Sequence, residues 1–486
     1  MRSLISSYFT KDFQRTKPAW NAILGLVLFL ALGFLIGAGR FLVLLFPLGS
    51  IVVGVFLYRR YPIFYVGFTW WLWFLGPLVR RLIDYQSGHL TYGPWILTPH
   101  LVTLICSATL VRHLPKWFNQ NGLPFILCLS SVFYGFAIAL IQNPLNSAVL
   151  GFLAWANPIF FGFHLYVNWR DYPSYRQIIQ QTFLWGVLVM GAYGIWQYLT
   201  APGWDQFWLL NESNLTYGAP EPLGIRVWST MMIPQKFAAV MMAGLLLLFI
   251  NKGILRFFAA AVGYLAFLLS IARAAWLSWF VGLLIFFPSL KARLQMRLII
   301  SILIAAMFVL PLTTIEPFSS VISSRFESFA NPTADGSYQA RLEGLNELLG
   351  PALSEFLGQG VGTKLVSATS SLGAYDNGLL LMIFSLGWFA AMAYLTGIIM
   401  LFIKLLGGSK GRSDPFFSAA RAIALSSFVV QIGLNPITMD SFAMVVWGFV
   451  GIGMAAHHYS LHQRLAKNKR DRYQVKPKVR AGQGAV

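Results

Sequence analysis

Apolar residues in this chain come in blocks of about 17–22 separated by short polar breaks, the length that carries an α-helix across the hydrocarbon core of a bilayer. The blocks fall near 19–37, 41–58, 63–79, 97–111, 124–142, 147–168, 177–199, 230–250, 256–271, 274–289, 298–315, 377–403, 415–434 and 441–459, and each predicts a spanning helix. The stretch from Phe257 to Phe287 carries a single charge, Arg273. One helix of that length would leave a guanidinium at the bilayer centre, at ~2.5 to well over 10 kcal/mol. Two short helices that turn back near Ile271–Ala274 avoid this and bring Arg273 to one face. The pattern as a whole predicts an all-α polytopic membrane protein of about 12–14 transmembrane helices. A lead over residues 1–18 precedes a transmembrane domain over 19–460, and a basic tail occupies 461–486.

Composition agrees. Of 486 residues, 57% are hydrophobic and 11% charged, where a soluble chain carries roughly a quarter charged residues. The N-terminus, MRSLISSYFTKDFQRTKPAW, has no clean small-residue cleavage site, so a retained first helix is expected rather than a removed signal peptide. A net charge of +20 would suit a nucleic-acid binder, but its distribution fits topology better. With the N-terminus inside, one set of loops collects Arg59–Arg60, Arg112, Lys116, Arg170, Arg176, Lys252, Arg256, Lys291, Arg293, Arg297, Lys404, Lys410 and Arg412. Roughly three quarters of all Lys and Arg then face the cytoplasm, as the positive-inside rule expects. Both termini are cytoplasmic in this arrangement, and no nucleic-acid partner is needed. The tail RLAKNKRDRYQVKPKVR reads as a solvated, disordered end that can touch anionic lipid headgroups. Cys106 and Cys128 fall inside spans and read as small apolar packers. The seven histidines lack metal-ligand spacing, so no metal site is expected.

Two substantial segments remain on the external side, about 200–229 and about 316–376, and long loops on a rigid frame are where chemistry concentrates. External cations are scarce: Arg40, Arg80, Arg81, Arg226, Arg273, Arg325, Arg341 and Lys364, with Lys236 about two turns into its span. Arg273 is flanked by Ser270, Ala272, Ala274 and Ala275, a small-residue corner that suits a bound anion better than open lipid. Leu342, Leu345, Leu348, Leu349 and Leu353 recur at helical spacing and predict an amphipathic helix with Arg341 and Glu343 near its start. GQGVGTK, residues 358–364, lacks the spacing of a phosphate loop and reads as a turn-rich hinge. Tyr92, Trp95, Trp204, Trp208 and Tyr375 could stack on sugar rings, although aromatics at this depth are more often interface anchors.

Four blocks give the chain a family likeness: GIRVWSTMMIPQKFAA (224–239), SIARAAWLSWFVGLL (270–284), YQARLEGLNELLGPALSEFLGQGVG (338–362) and SLGAYDNGLLLMIFSLGW (371–388). In order and spacing these resemble the O-antigen ligase and polymerase superfamily of bacterial membrane glycosyltransferases. The resemblance covers roughly 220–390, the flanking spans agreeing only in general character. It implies transfer or polymerisation of a polyprenyl-diphosphate-linked oligosaccharide at the outer face of the plasma (inner) membrane. It further implies a glycan or lipid-linked acceptor, membrane lipids and polysaccharide-assembly proteins as partners, and no cofactor or metal.

Ligases of this kind typically carry His where this chain has Asp376, a departure that favours polymerase over ligase. The leaving lipid diphosphate needs fixed cations, and arginine pairs two phosphate oxygens while staying charged. Arg226, Arg273 and Arg341 are the expected clamp, with Lys236 and Arg325 as further candidates. Asp376 is the leading base or positioning acceptor for the attacking hydroxyl, with Asn377 beside it, and the pair reads equally well as a helix N-cap. Asp335, Glu343 and Asp440 are weaker carboxylates that read as solvated loop charges. A secondary transporter is the alternative from another class, because a relative is associated with inorganic carbon accumulation and fold does not fix function.

Overall fold

The computed structural model describes residues 2–90, 97–113, 122–211, 217–290, 336–363, 377–407 and 414–474, with a few isolated positions between 292 and 303. The fold is all-α. Among the described residues the pairing outside helices is one antiparallel bridge, Gly218 to Ile225. Among the described residues eight helices are long and apolar enough to cross a bilayer, which makes this a polytopic membrane protein.

In chain order the helices are α1 (Arg2–Leu35), α2 (Gly39–Arg60), α3 (Pro62–Ser87), α4 (Thr98–Leu104), α5 (Ser107–His113), α6 (Leu123–Gln142), α7 (Leu145–Val167) and α8 (Tyr172–Thr200). They continue with α9 (Gly203–Asn211), α10 (Pro234–Leu248), α11 (Leu255–Leu269) and α12 (Arg273–Phe286). The last four are α13 (Gly336–Ser354), α14 (Gly378–Gly407), α15 (Pro415–Gln431) and α16 (Asp440–Gln474). The 257–287 run is two helices, α11 and α12, joined through Ser270–Ala272, with Arg273 the first residue of the second. Leu342 to Leu353 lie on α13, as their spacing predicts.

Two differences from the sequence pattern matter. The third span runs on to Ser87, so Arg80 and Arg81 belong to the last turns of α3 rather than to a loop. The fourth span is interrupted at Ile105–Cys106 and becomes two helices of seven residues each. Both cysteines are free and buried, Cys106 against the Tyr65 hydroxyl at 3.2 Å.

The bundle is held by close approach of helices rather than by charge. α7 and α16 pack backbone to backbone: a Cβ on Gly162 would lie 2.5 Å from the Trp447 carbonyl oxygen, and one on Gly451 would lie 2.2 Å from that of Gly162. Small residues let helices approach in this way, and the gain is dispersion along the whole contact. The 358–362 turn is a second such contact. Gly360, at φ +87°, lies against the Ala139 backbone, while Gln359 N donates to Phe384 O (2.7 Å) and Val361 N to Gly135 O (3.0 Å). The amides of Gln359, Gly360 and Val361 are engaged by neighbouring helices, so this Gly-rich stretch is a packing device.

One end of the bundle gathers the polar chemistry. α3 and α8 end there beside α9, and α4, α10, α12, α14 and α16 begin there. α10 and α12 are 15 and 14 residues long, ~22 Å and ~21 Å at 1.5 Å per residue, against a hydrocarbon core of ~30 Å. The first turn of α10 sits below the end of α3, because Lys236 meets Asp440 and His100 beside Trp73, which is eight residues before Arg81. α10 and α12 both run away from the α9 end, and Leu246 of α10 abuts Gly282 of α12. Ten residues back along each, Lys236 and Ala272 share a level, with Arg273 next to it.

Gly451→Val should force α16 away from α7 and lower the thermal unfolding midpoint of the detergent-purified protein, with a destabilisation of about 1–3 kcal/mol. Gly25→Ala, whose added methyl meets nothing within 4 Å, should leave that midpoint unchanged.

Candidate functional site

The α9 end is anchored by an ion pair without solvent access. Arg81 and Asp205 are both 0% exposed, and the guanidinium forks between the Asp205 carboxylate and the Ser229 carbonyl oxygen. Arginine suits this because its planar donors serve two acceptors at once. The other carboxylate oxygen accepts from Tyr193 (2.9 Å) and from Gln197 (2.8 Å). The Gln197 oxygen in turn accepts from the backbone of Trp228 (3.2 Å) and Ser229 (2.8 Å). Burial pushes the Asp205 carboxyl above its usual range, against the opposing pull of Arg81, Gln197 and Tyr193. The network ties α3, α8 and α9 to the segment 225–233 and fixes the path of that segment into α10.

Arg226 depends on that path. Its Nε donates to Ser270 O (2.7 Å) and its guanidinium to Ile271 O (3.0 Å), while Val227 N donates to Leu269 O (3.1 Å). The side chain thus answers two carbonyls that α11 leaves open at its C-terminus and lies two residues from Arg273 at the start of α12. Both arginines are half-buried. Backbone strain collects here too. Every non-glycine residue at positive φ among the described residues lies at this end: Ala201, Leu223, Ser229 (+56°), Ile271 (+53°) and Asp440 (+53°). For β-branched Ile271 this is an outlier that only surrounding structure can hold, and such strain concentrates at functional sites.

A second charged cluster lies across α10. Lys236 Nζ donates to Asp440 Oδ2 at 2.7 Å, and His100 Nε2 is 3.4 Å from Asp440 Oδ1. The carboxylate retains 26% exposure and the lysine 24%. His100 meets the edge of Trp73 at 4.8 Å between ring centroids, and Asn157 Nδ2 donates to His100 O at 3.0 Å. Trp73 is eight residues before Arg81 on α3, so the His100 side of this cluster is recessed by ~12 Å from the α9 pair. Several buried polar atoms on residues that bond the cluster or neighbour it in the chain have no partner among the described residues: Asn157 Oδ1, Gln235 Oε1, Thr438 Oγ1 and Ser441 Oγ. Each would cost about 1–3 kcal/mol if left without water or another partner.

Of the residues singled out from sequence, Arg226 and Arg273 come together at the α11–α12 turn, with Lys236 at the same level on α10. Asn377 caps α14, its Oδ1 accepting from Leu379 N (3.0 Å) and Leu380 N (3.1 Å). Leu379 N also donates to Ile432 O (3.1 Å), which ties this end of α14 to the loop leading to Asp440. Arg341 lies on α13, and its side chain, like Arg325, Lys364, Asp335, Asp376, Tyr92, Trp95 and Tyr375, lies outside the described residues. Two expectations are corrected. Trp208 is buried at 2% exposure with Tyr217 and Trp228, so it is neither a sugar platform nor an interface anchor. Asp440 is not a solvated loop charge, because Lys236 and His100 hold its carboxylate.

His100, Asn157, Asp205 and Gln197 carry no local motif; Gln197 and Asp205 are eight residues apart, and their other partners lie further off, Arg81 being 124 residues from Asp205. Comparison of the chain with family models finds no match, and no curated protein matches it significantly.

Arg81→Met should strand the buried Asp205 carboxylate and lower the unfolding midpoint by the equivalent of about 3–5 kcal/mol. Arg81→Met combined with Asp205→Leu should be less destabilised than Arg81→Met alone, measured by thermal unfolding in detergent.

Proposed function

We propose that this chain is a membrane glycosyltransferase that polymerises, or transfers, polyprenyl-diphosphate-linked oligosaccharide at the outer face of the plasma membrane. The observation that carries this reading is the pairing of Arg226 with the turn that opens on Arg273. A lipid diphosphate enters such a site from the bilayer with its headgroup held at the level of the short helices. The attacking sugar hydroxyl loses its proton as its oxygen bonds the anomeric carbon, and the carbon–oxygen bond to the diphosphate breaks with its electron pair. Fixed cations aimed at that developing charge are worth ~3–4 kcal/mol each. Arg226, Arg273 and Arg341 are the clamp, Arg325 a further contributor, and the first turns of α10 and α12 add the positive ends of their dipoles. Asp376 serves as base or positioning group, with Asn377 fixing the helix start beside it. Asp376 in place of the His of ligases favours the polymerase over transfer to lipid A core. The positive-inside charge distribution supports the outward orientation of this end and the cytoplasmic placement of both termini.

A secondary transporter is the second reading, favoured by one observation: the break at Ile105–Cys106 and the buried Tyr58–Thr109–His164 hydrogen-bond chain beside it (2.7 Å for each link). Interrupted helices with intramembrane ionisable groups are common in transporters. Solute flux into sealed proteoliposomes without glycan turnover would favour it.

Purified protein given a polyprenyl-diphosphate oligosaccharide should produce a ladder of longer chains. A single product on lipid A core would mean ligase, and no turnover would defeat the proposal. Arg273→Ala should insert normally and lose about 10²–10³-fold in kcat. Asp376→Asn should depress turnover more than donor binding, and an unchanged rate would leave Asp376 as a cap alone.

A further inference from the structure

The recessed cluster of Lys236, Asp440 and His100 is more than an ion pair. Its carboxylate is held from both sides, one oxygen by Lys236 and the other by His100, yet it keeps a quarter of its surface open. Each carboxylate oxygen has two lone pairs and only one is occupied by these partners. Lys236 likewise has donors to spare. Asn157, which donates to the His100 carbonyl oxygen, keeps its own amide oxygen without a partner among the described residues, and so do the buried hydroxyls of Thr438 and Ser441, which flank Asp440 in the chain. A fixed carboxylate, an ammonium and an amide brought together, with hydroxyls beside them in the chain and Trp73 against the imidazole, offer the donors and acceptors that vicinal hydroxyls require. A lipid tail would leave all of them unanswered, and a second anion would meet Asp440.

Position adds a direction. α10 lies between α12, which starts with Arg273, and α16, which starts with Asp440. Arg273 and Asp440 therefore open helices on opposite sides of α10, with Lys236 of α10 between them. A nucleophile enters on the side of the anomeric carbon opposite the leaving group. With the diphosphate on Arg226 and Arg273, the hydroxyl that attacks comes from the Asp440 side.

We propose that Lys236, Asp440, His100, Asn157, Thr438 and Ser441 form the subsite for the acceptor saccharide, and that this pocket sets which sugar is extended. This rests on the glycan-transfer reading of the same cleft. Asp440 accepts from the acceptor's hydroxyls, Lys236 and His100 hold the carboxylate in place, and the two hydroxyl side chains select among epimers.

The test uses the full-length protein in nanodiscs with a polyprenyl-diphosphate tetrasaccharide as donor and a free tetrasaccharide of the same repeat as acceptor. Asp440→Asn should raise the acceptor KM about tenfold or more, and Thr438→Val and Ser441→Ala about threefold each, with the donor KM unchanged. The two hydroxyl variants guard against misfolding: removing unpartnered hydroxyls leaves a merely structural pocket as stable as before or more so, with kinetics unmoved. Unchanged acceptor KM in all three variants, with turnover intact, overturns the subsite and leaves glycan transfer standing. If the wild type transfers nothing, the transferase reading has failed and binding decides the subsite. Tryptophan fluorescence titrated with the free tetrasaccharide should then saturate in the wild type and lose saturation in Asp440→Asn. No saturable response in the wild type overturns the subsite.

Discussion

A guanidinium that water cannot reach must have its charge answered by the protein, and at the α9 end of this bundle Arg81 is answered by Asp205 and by the Ser229 carbonyl. Three segments far apart in sequence meet there, and the meeting fixes where the chain enters α10. Were residues 225–233 free to wander, Arg226 would not reach the carbonyls of Ser270 and Ile271, and the α11–α12 turn would have two open acceptors inside the bundle. A buried pair of this kind adds little net stability over an apolar replacement, but breaking it is expensive. Its value here is positional. It makes one path of the backbone much cheaper than its alternatives, and the arginine of the candidate site rides on that path.

A second constraint is length. α10 and α12 are too short to span a bilayer alone, and both run away from the α9 end. That geometry sets the N-termini of α10 and α12 side by side at one level of the bundle. The strained φ values at Ser229, Ile271 and Asp440 fall on three short stretches of backbone at the same end. Tight glycine contacts elsewhere, at Gly162, Gly451 and the 358–362 turn, hold the surrounding helices close.

Much of this was legible in the amino-acid order. The Phe257–Phe287 run is longer than one span and carries a central arginine, so a turn at Ile271–Ala274 follows from the cost of burying charge in lipid, and α12 does begin at Arg273. The leucine spacing of 342–353 likewise announces α13. Asp440 and His100 were not legible. A lone carboxylate before an apolar block looks solvated, and its partner Lys236 is 204 positions away. Periodicity reports which face of a helix is apolar, but not which distant helix will stand against it. Trp208 misled for the same reason: in a loop by sequence, it is enclosed by Tyr217 and Trp228 once α9 folds back. The interruption of α4 and α5 lies in an apolar block with no Pro or Gly at Ile105–Cys106, so nothing local marks it.

The central claim is that Arg226 and Arg273 share one anionic headgroup at the α9 end of the bundle. A cryo-EM structure of the protein in nanodiscs with undecaprenyl diphosphate tests it directly. Diphosphate density in contact with both guanidinium groups, its tail leaving between α10 and α12 into lipid, is the predicted result. Density elsewhere on the protein, with both side chains turned to the bilayer, would contradict it.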